Sequence, residues 1–175
     1  MALPALNTDD SNAPLPLSLA RRYLEGKWAL LFSHAEDFAC HGFEADRWLW
    51  LVRDAFTQAR IHPLALHGQK FSCPTNWVTE VGGLCVTAEP GRRSNGSSDG
   101  VFAVHEAMVQ IASRFVMILD SSLRLRRTIC YTPQGRLPSP IDLIAMAENV
   151  ARADQRLQTS RNQLKVARQL ALLEF

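Results

Sequence analysis

The sequence lacks three features that would each point to a class of protein: a long apolar run, a charge excess of one sign and closely spaced cysteines. A membrane-spanning helix needs roughly 18 or more consecutive apolar residues, and no stretch of the chain approaches that length. The 19 basic and 17 acidic side chains leave a formal net charge of +2, so charge gives no reason to expect nucleic acid as a partner. The sequence therefore predicts no membrane and no nucleic-acid partner.

The cysteines have no CxxC spacing, which is typical of reduced thiols rather than of a disulfide framework. There are four of them, Cys40, Cys73, Cys85 and Cys130. The first 16 residues contain Asp9 and Asp10 and no basic cluster ahead of an apolar run. That order is the reverse of a secretory signal. We therefore expect a cytoplasmic protein.

The length and composition indicate one domain with a real core. The chain has 175 residues, of which 47% are hydrophobic and 21% charged, as in an ordinary soluble globular protein. Residues 1–16 contain three prolines and no hydrophobic period, so we predict a flexible N-terminal arm there. Residues 17–175 are predicted to form the single domain.

The first half of that domain predicts a strand, a helix and a second strand. Residues 27–33 form an apolar run typical of a strand buried on both faces. Residues 43–60 have apolar side chains at helical spacing. Residues 61–66 read as the next strand, although Pro63 cannot donate to a ladder. Strand, helix and strand in this order predict a βαβ unit.

The second half predicts a hairpin and a long helix. Residues 114–120 and 123–131 read as two strands joined around Ser121-Ser122. Ser139 is placed as an N-cap before a proline, and the helix is predicted over about 139–173. Apolar residues recur in it every seven positions, at Leu143, Val150, Leu157, Leu164 and Ala171, but the intervening positions include Asp154, Arg161 and Arg168. A sustained coiled coil would need both sets of positions apolar, so we predict a helix that packs on its own sheet, with an extension into a dimer contact as the alternative.

These elements together predict an α/β protein with a central mixed β-sheet flanked by helices and a long C-terminal helix, an arrangement that would fit the thioredoxin-like fold. The stretch from 68 to 105 is the least readable part. Within and beside it we predict a short strand at 84–87, a loop over 89–100 and a short helix over 104–112.

Residues 26–38, Gly-Lys-Trp-Ala-Leu-Leu-Phe-Ser-His-Ala-Glu-Asp-Phe, resemble the first core strand and active-site loop of 1-Cys peroxiredoxins, typically W-x-x-L-F-S-H-P-x-D-F-T-P-x-C. Arg114, Asp120 and the following Leu123-Arg124 resemble the R-x-x-F-I-I-D-P-x-G-x-I-R hairpin of that family. Matching segments cover about 100 residues of the chain. The resemblance implies a thioredoxin fold and a thiol-dependent peroxidase ancestry.

The same resemblance implies that the peroxidase site is degenerate. An ungapped alignment places Ala35 at the proline of the family, Ala39 at its threonine and Gly42 at its attacking cysteine. Arg114 matches the arginine that lowers the pKa of the thiol and stabilises charge in the family, and His34 matches the histidine beside the proline. Glycine carries no nucleophile, so the literal alignment predicts a protein without peroxidase activity.

Cys40 leaves one catalytic alternative open, because it lies two residues before the expected position. A shift of the loop would let it attack peroxide, with His41 or Arg114 lowering its pKa. Asp37 would stand at the place of the hydroxyl partner, where a carboxylate would repel a thiolate. Cys40 could also be a regulatory or an inert thiol. If the protein is an enzyme, one of the other three cysteines could act as the resolving thiol.

Two binding alternatives rest on weaker patterns. Cys40 and His41, with His34 and Glu36, carry metal-ligand groups within eight residues, but at no standard spacing. Cys73-Pro74 resembles the dipeptide of some haem-responsive proteins. We predict neither a metal nor any other cofactor.

Trp48 and Trp50 form the last candidate surface. They lie about 200° apart around the predicted helix, so Trp50 points away from the buried face unless another element covers it. Exposed aromatic side chains favour interfaces, and this pair therefore predicts a homo-oligomer contact or a protein partner.

Three functions follow as hypotheses. The first is a peroxiredoxin-like homo-oligomer, a dimer or larger, that has lost efficient peroxide reduction and acts by protein binding as an accessory or regulatory factor. The second is a divergent thiol peroxidase that uses Cys40 and an external thiol as reductant. The third is a small-ligand or metal binder that uses the former pocket.

Overall fold

The computed structural model describes residues 13–38, 45–74, 77–87, 104, 107–108, 111, 113–135 and 137–171, with only the backbone described for 45–51, 167–168 and 170–171. In chain order the described elements are β1 (Leu15–Pro16), α1 (Leu17–Leu24), β2 (Trp28–Phe32), a 3-10 helix (Ala35–Phe38), α2 (Ala45–Ala59), β3 (Ile61–His67), a π-helical turn (Trp77–Val81), β4 (Leu84–Thr87), β5 (Arg114–Leu119), β6 (Leu125–Tyr131) and α3 (Pro140–Ala171).

The described strands form one mixed sheet in the order β1-β4-β3-β2-β5-β6. The first four strands of that order are parallel to one another, whereas β5 runs antiparallel to β2 and to β6. A parallel βαβ unit beside an antiparallel hairpin that leads into a C-terminal helix is the arrangement of the thioredoxin fold. The predicted fold class is confirmed.

β2 is buried on both faces, as its sequence predicts. Ala29 and Leu31 belong to a core cluster with α1, whereas Leu30 and Phe32 belong to a second cluster with α2 and α3. None of the four is more than 1% exposed. Alternate side chains of a strand point to opposite faces, so helices on both sides of the sheet require this unbroken apolar run.

The hairpin differs from its prediction at the start of the second strand. β6 begins at Leu125, not at residue 123, because Leu123 adopts a left-handed conformation with φ 60° and lies in the turn. That conformation costs a residue with a Cβ about 1–2 kcal/mol. Leu123 is fully buried in the α1-side cluster, and this burial offsets the cost.

α3 begins as the sequence predicts. The backbone N–H of Ile141 donates to the Ser139 hydroxyl at 3.2 Å, which is the expected N-cap. Leu143, Ile144 and Ala147 of its first half are buried against the sheet and α2. In contrast, residues 155–166 are exposed on every side.

Several predicted elements lie only partly within the described residues, or wholly outside them. Residues 13–16 are the described part of the predicted arm, and its last two residues form β1. The predicted short helix over 104–112 and the loop over 89–100 lie largely or wholly outside the described residues. The predicted strand at 84–87 is β4.

Among the described helices, none combines the length and the apolarity needed to cross a bilayer.

Candidate active site

Three strands bring the candidate residues to one edge of the sheet. β2 leads through Ser33 and His34 into the 3-10 helix. Arg114 is the first residue of β5, and β5 runs antiparallel to β2, so the start of β5 lies beside the end of β2. Tyr131 ends β6 directly opposite Arg114. Residues far apart in the chain therefore converge around the loop of residues 33–38.

Asp37 is the centre of this cluster. Its carboxylate accepts a hydrogen bond from the Arg114 guanidinium in an ion pair. It also accepts a hydrogen bond from the Tyr131 hydroxyl at 2.9 Å, and that hydroxyl lies 3.3 Å from the backbone carbonyl of His34. The exposed fractions of the Asp37 and Arg114 side chains are 18% and 33%. Hydrogen bonds to an ionised partner are the stronger kind, so the three groups form one polar unit.

Burial raises the pKa of Tyr131 well above its ordinary value, and the hydrogen bond to Asp37 raises it further. Both effects favour the neutral phenol, because burial disfavours the phenolate and an adjacent carboxylate repels it. Tyr131 is therefore a permanent hydrogen-bond donor at neutral pH. It is not poised to act as a base.

His34 lies beside the same cluster. Burial lowers its pKa and the charge of Arg114 lowers it further, while Asp37 and Glu36 oppose the shift. Its Nδ1 lies 3.1 Å from the hydroxyl oxygen of Ser33. The imidazole of His34 is therefore held mainly in its neutral form at neutral pH.

Ser33 and Ser72 fix the start of the loop. The fully buried Ser33 hydroxyl accepts a hydrogen bond from the Phe115 N–H at 2.9 Å. Ala35 donates its backbone N–H to the Ser72 carbonyl at 2.9 Å, and Ser72 donates to the Ser33 carbonyl at 3.2 Å. A proline at position 35, as in the family pattern, has no N–H for the bond to Ser72. The loop is thus attached by a bond that the family pattern does not allow.

Aromatic side chains pack against the end of the loop of residues 33–38. Phe38 packs edge-to-face against Phe32 and Tyr131, with ring centroids 5.1 and 5.3 Å apart. Phe32 packs in the same way against Trp77 at 5.6 Å. Such contacts restrict a ring in orientation as well as in position, so Phe38 anchors the residue that follows Asp37.

Several predicted site residues lie outside this description. Ala39, Cys40, His41 and Gly42 fall on residues that the structure does not describe, so their predicted roles remain predictions. Trp48 and Trp50 fall on α2, for which only the backbone is described at those positions. Of the predicted catalytic residues, the described part of the chain places His34 and Arg114 beside the same loop.

No metal site is visible in the part of the chain that the structure describes, where no three His, Cys, Asp or Glu side chains are grouped to hold an ion. The metal alternative considered above includes Cys40 and His41, which lie outside that part. A separate cleft of about 270 Å³, lined in part by Lys27, Arg60 and Arg152, opens where β2 and β3 begin. That is the opposite edge of the sheet from Asp37.

Sequence reasoning missed the central position of Asp37 and Tyr131. From the sequence, Asp37 is predicted only to repel a thiolate at Cys40. The structure shows that the Arg114 guanidinium compensates this charge. The available signal was the Arg114 match together with a tyrosine that ends the paired strand, because residues opposite each other in an antiparallel pair are neighbours.

No family model matches the chain, and no curated protein matches it. Among solved structures, a yeast mitochondrial 1-Cys peroxiredoxin is 14% identical with a TM-score of 0.39, over 81% of this chain and 68% of its own. A reduced 2-Cys peroxiredoxin of Plasmodium vivax is 11% identical with a TM-score of 0.38, over 74% and 80%. A protein of Bacteroides vulgatus proposed to be a thiol-disulfide oxidoreductase is 16% identical with a TM-score of 0.33, over 83% and 89%.

At such scores these likenesses decide nothing by themselves. The strand order, the strand directions and the long C-terminal helix are observed directly in this chain and do not depend on any likeness to another structure. On that basis the chain has a thioredoxin-like fold.

Proposed function

We propose that this protein is a peroxiredoxin-like protein that has lost efficient peroxide reduction and acts by binding another protein, as an accessory or regulatory factor. The observation that carries the proposal is the hydrogen bond from the Ala35 N–H to the Ser72 carbonyl at 2.9 Å, which the proline of the family pattern cannot donate. In the family that the sequence resembles, the arginine stabilises a thiolate and the charge that develops as the O–O bond breaks. The family pattern also has an aspartate at the position of Asp37, so the ion pair between Arg114 and Asp37 does not distinguish an active site from a degenerate one.

The substitutions in the loop support the same proposal. Ala39 and Gly42 stand where the family pattern has a hydroxyl and the attacking thiol. Ala35 replaces the proline, and its N–H is used to attach the loop to Ser72. The fold and the arginine remain while the reacting groups are gone, and function depends on such groups rather than on the fold.

A divergent thiol peroxidase that uses Cys40 remains the second candidate. One observation favours it over the sequence reading: Arg114 compensates the charge of Asp37, so Asp37 repels a nearby thiolate less than an unpaired carboxylate would. In this candidate Cys40 attacks hydrogen peroxide, forms a sulfenic acid and releases water. One external thiol then forms a mixed disulfide with it and releases a second water, and a second external thiol reduces that disulfide and restores Cys40.

Intact mass after brief exposure to stoichiometric hydrogen peroxide separates the two candidates, with Cys40→Ser as the matched control. We expect no oxidised species to form faster than free cysteine reacts. Rapid formation of one oxidised species that Cys40→Ser lacks would overturn the proposal in favour of the peroxidase. The double variant Ala39→Thr/Gly42→Cys returns the hydroxyl and the thiol, and a gain of peroxide consumption in it would show that these two losses disabled the site.

We further propose that a second copy of this chain binds along the exposed half of α3. Leu157 and Leu164 are 59% and 63% exposed, and they continue at seven-residue spacing the line of Leu143 and Val150, which packs on the core of the same molecule. Seven-residue spacing keeps side chains on one face, as in a helix pair. A contact through Trp48 and Trp50 stays a second prediction. The four cysteines have no CxxC spacing, which favours a reducing compartment, the cytoplasm.

The oligomeric state tests this contact. Sedimentation equilibrium of the full chain is expected to show a dimer, and Leu157→Glu/Leu164→Glu is expected to shift it to monomer. Asn162→Glu adds a charge to the same exposed segment without removing an apolar side chain and is expected to leave the dimer intact. A monomer in the unchanged protein, or a dimer that survives the leucine substitutions, would contradict the contact.

A further inference from the structure

Two cysteines that the proposed function does not use lie side by side. Cys73 follows β3 in the connection to the π-helical turn, and Cys85 lies in β4, beside Ala65 of β3. Their sulfur atoms are 3.0 Å apart and share a hydrogen bond. A disulfide bond is about 2.05 Å long, so the sulfurs need to approach by only roughly 1 Å to be joined.

The surroundings of the pair make one of the two thiols easier to ionise and leave the other reachable from solvent. Cys85 is 9% exposed, whereas Cys73 is half-buried and reachable from solvent. The hydrogen bond to Cys85 raises the pKa of Cys73, and burial raises it further. The same bond lowers the pKa of Cys85. The pair therefore loses its first proton more easily than its second, as two coupled thiols do.

The pair is also connected to the candidate site. Cys73 follows Ser72, which holds the loop through its bonds to Ser33 and Ala35. The carboxylate of Glu36, in that loop, contributes to the raised pKa of Cys73. A change in the bonding of Cys73 therefore acts directly beside the loop that contains Asp37.

We propose that Cys73 and Cys85 are a redox-active dithiol that forms an internal disulfide by exchange with a low-molecular-weight disulfide such as oxidised glutathione. A thiolate of the pair attacks one sulfur of the reagent, forms a mixed disulfide and expels one glutathione thiolate. The second cysteine loses its proton, attacks the protein sulfur of the mixed disulfide and expels the other. Two electrons pass to the reagent, and the two protons end on two molecules of reduced glutathione.

The test uses the full chain with Cys40→Ser and Cys130→Ser, which leaves two of the four cysteines. Cys130 is exposed on β6, and its removal prevents trivial glutathionylation at that site. The reduced protein is incubated with excess oxidised glutathione, quenched in acid and alkylated. We expect the mass to fall by two hydrogen atoms, the two alkylation adducts to be lost and no glutathione to remain attached.

Further cysteine variants make the result specific. A Cys73→Ser or Cys85→Ser substitution in this background is expected to leave the remaining thiol either alkylated or glutathionylated. Peptide mapping of the protein with its natural sequence, after the same treatment with oxidised glutathione, is expected to give the same Cys73–Cys85 linked pair. This measurement still tests the proposal if the double variant folds poorly. Two alkylated or two glutathionylated cysteines in excess oxidant would overturn the proposal. Because Cys40 is absent from the main test, neither result depends on the peroxide chemistry of that residue.

Discussion

Arginine–aspartate pairs lie at both ends of β5, and they are built differently. Arg114 begins β5 and pairs with Asp37, whose two side-chain donors lie 77 and 94 residues away in the chain. Asp120 follows β5 and accepts hydrogen bonds from the backbone of Ser122 at 2.8 Å and of Arg124 at 3.0 Å. It also pairs with the Arg126 guanidinium at 2.8 Å.

This difference separates a carboxylate that the fold requires from one that it does not. The bonds of Asp120 complete a tight turn, because without its carboxylate two backbone N–H groups lose their partner. The hydrogen bonds described for the Asp37 carboxylate both come from side chains and satisfy no backbone group. The Asp120 side chain is 10% exposed, whereas the Asp37 side chain, in the loop of residues 33–38, is 18% exposed. The fold therefore requires the carboxylate of Asp120, whereas the carboxylate of Asp37 belongs to the candidate site.

The largest expected effect is on stability. We expect Asp120→Ala to lower the free energy of unfolding by about 2–4 kcal/mol, because it removes the acceptor of two backbone N–H groups in the turn and one of the two carboxylates that pair with Arg126. Asp37→Ala is expected to cost about 1–2 kcal/mol, since no backbone N–H loses its acceptor and the Tyr131 hydroxyl keeps the His34 carbonyl within reach. Denaturant unfolding followed by circular dichroism measures both.

Asp54→Ala is the control for that comparison, since Asp54 is exposed on α2. It is expected to change the free energy of unfolding by less than about 0.5 kcal/mol. Equal losses for Asp37→Ala and Asp120→Ala would remove the distinction between the two pairs.

The second effect is a loss of stability at alkaline pH. The folded-state pKa of Tyr131 is raised above the ordinary value of about 10, so its contribution is complete below about pH 10 and decreases as the pH rises further. Between about pH 9 and about pH 11 the free energy of unfolding falls in both proteins, and we expect it to fall by roughly 1 kcal/mol less in Tyr131→Phe than in the unchanged protein. Urea unfolding at the two pH values measures it.

Tyr23 provides the control for this prediction. It is the other tyrosine of the chain and is 40% exposed, so Tyr23→Phe is expected to leave the alkaline loss unchanged. Asp37→Asn is expected to bring the pKa of Tyr131 closer to its ordinary value, because it removes the negative charge next to the phenol. An identical alkaline loss in Tyr131→Phe and in the unchanged protein would show that the phenol is not held neutral.

The parts of the fold that the sequence predicted are those where neighbouring residues determine the structure. The unbroken apolar run of β2 reflects burial on both faces, and the Ser139 cap with Pro140 defines the start of α3. Each signal is local, since period and cap chemistry act within a few residues. The fold class could therefore be predicted before any contact was known.

The parts that escaped prediction depend on distant partners. The alternation of Leu123 and Leu125 with Arg124 is typical of a strand, but burial in the α1-side cluster holds Leu123 in a left-handed turn. The proximity of Cys73 and Cys85 depends on a connection without hydrophobic period. The partner of Asp37 is set by the pairing of β2 with β5, which no spacing in the sequence specifies.

The smallest effect is on the pKa of His34, and its value lies in its sign. Arg114 lowers this pKa and Asp37 raises it, so Arg114→Gln is expected to raise it and Asp37→Asn to lower it. His34 contributes stability above its unfolded pKa and loses it as the pH falls through the folded one. Proton NMR of the imidazole measures these pKa shifts, and the His34 resonance is assigned by its absence in His34→Asn. Asp120→Asn is the control and is expected to leave the pKa of His34 unchanged. Shifts of the same sign in both variants would mean that each acts by disturbing the loop, and the Asp37 cluster would then be as structural as its counterpart at the other end of β5.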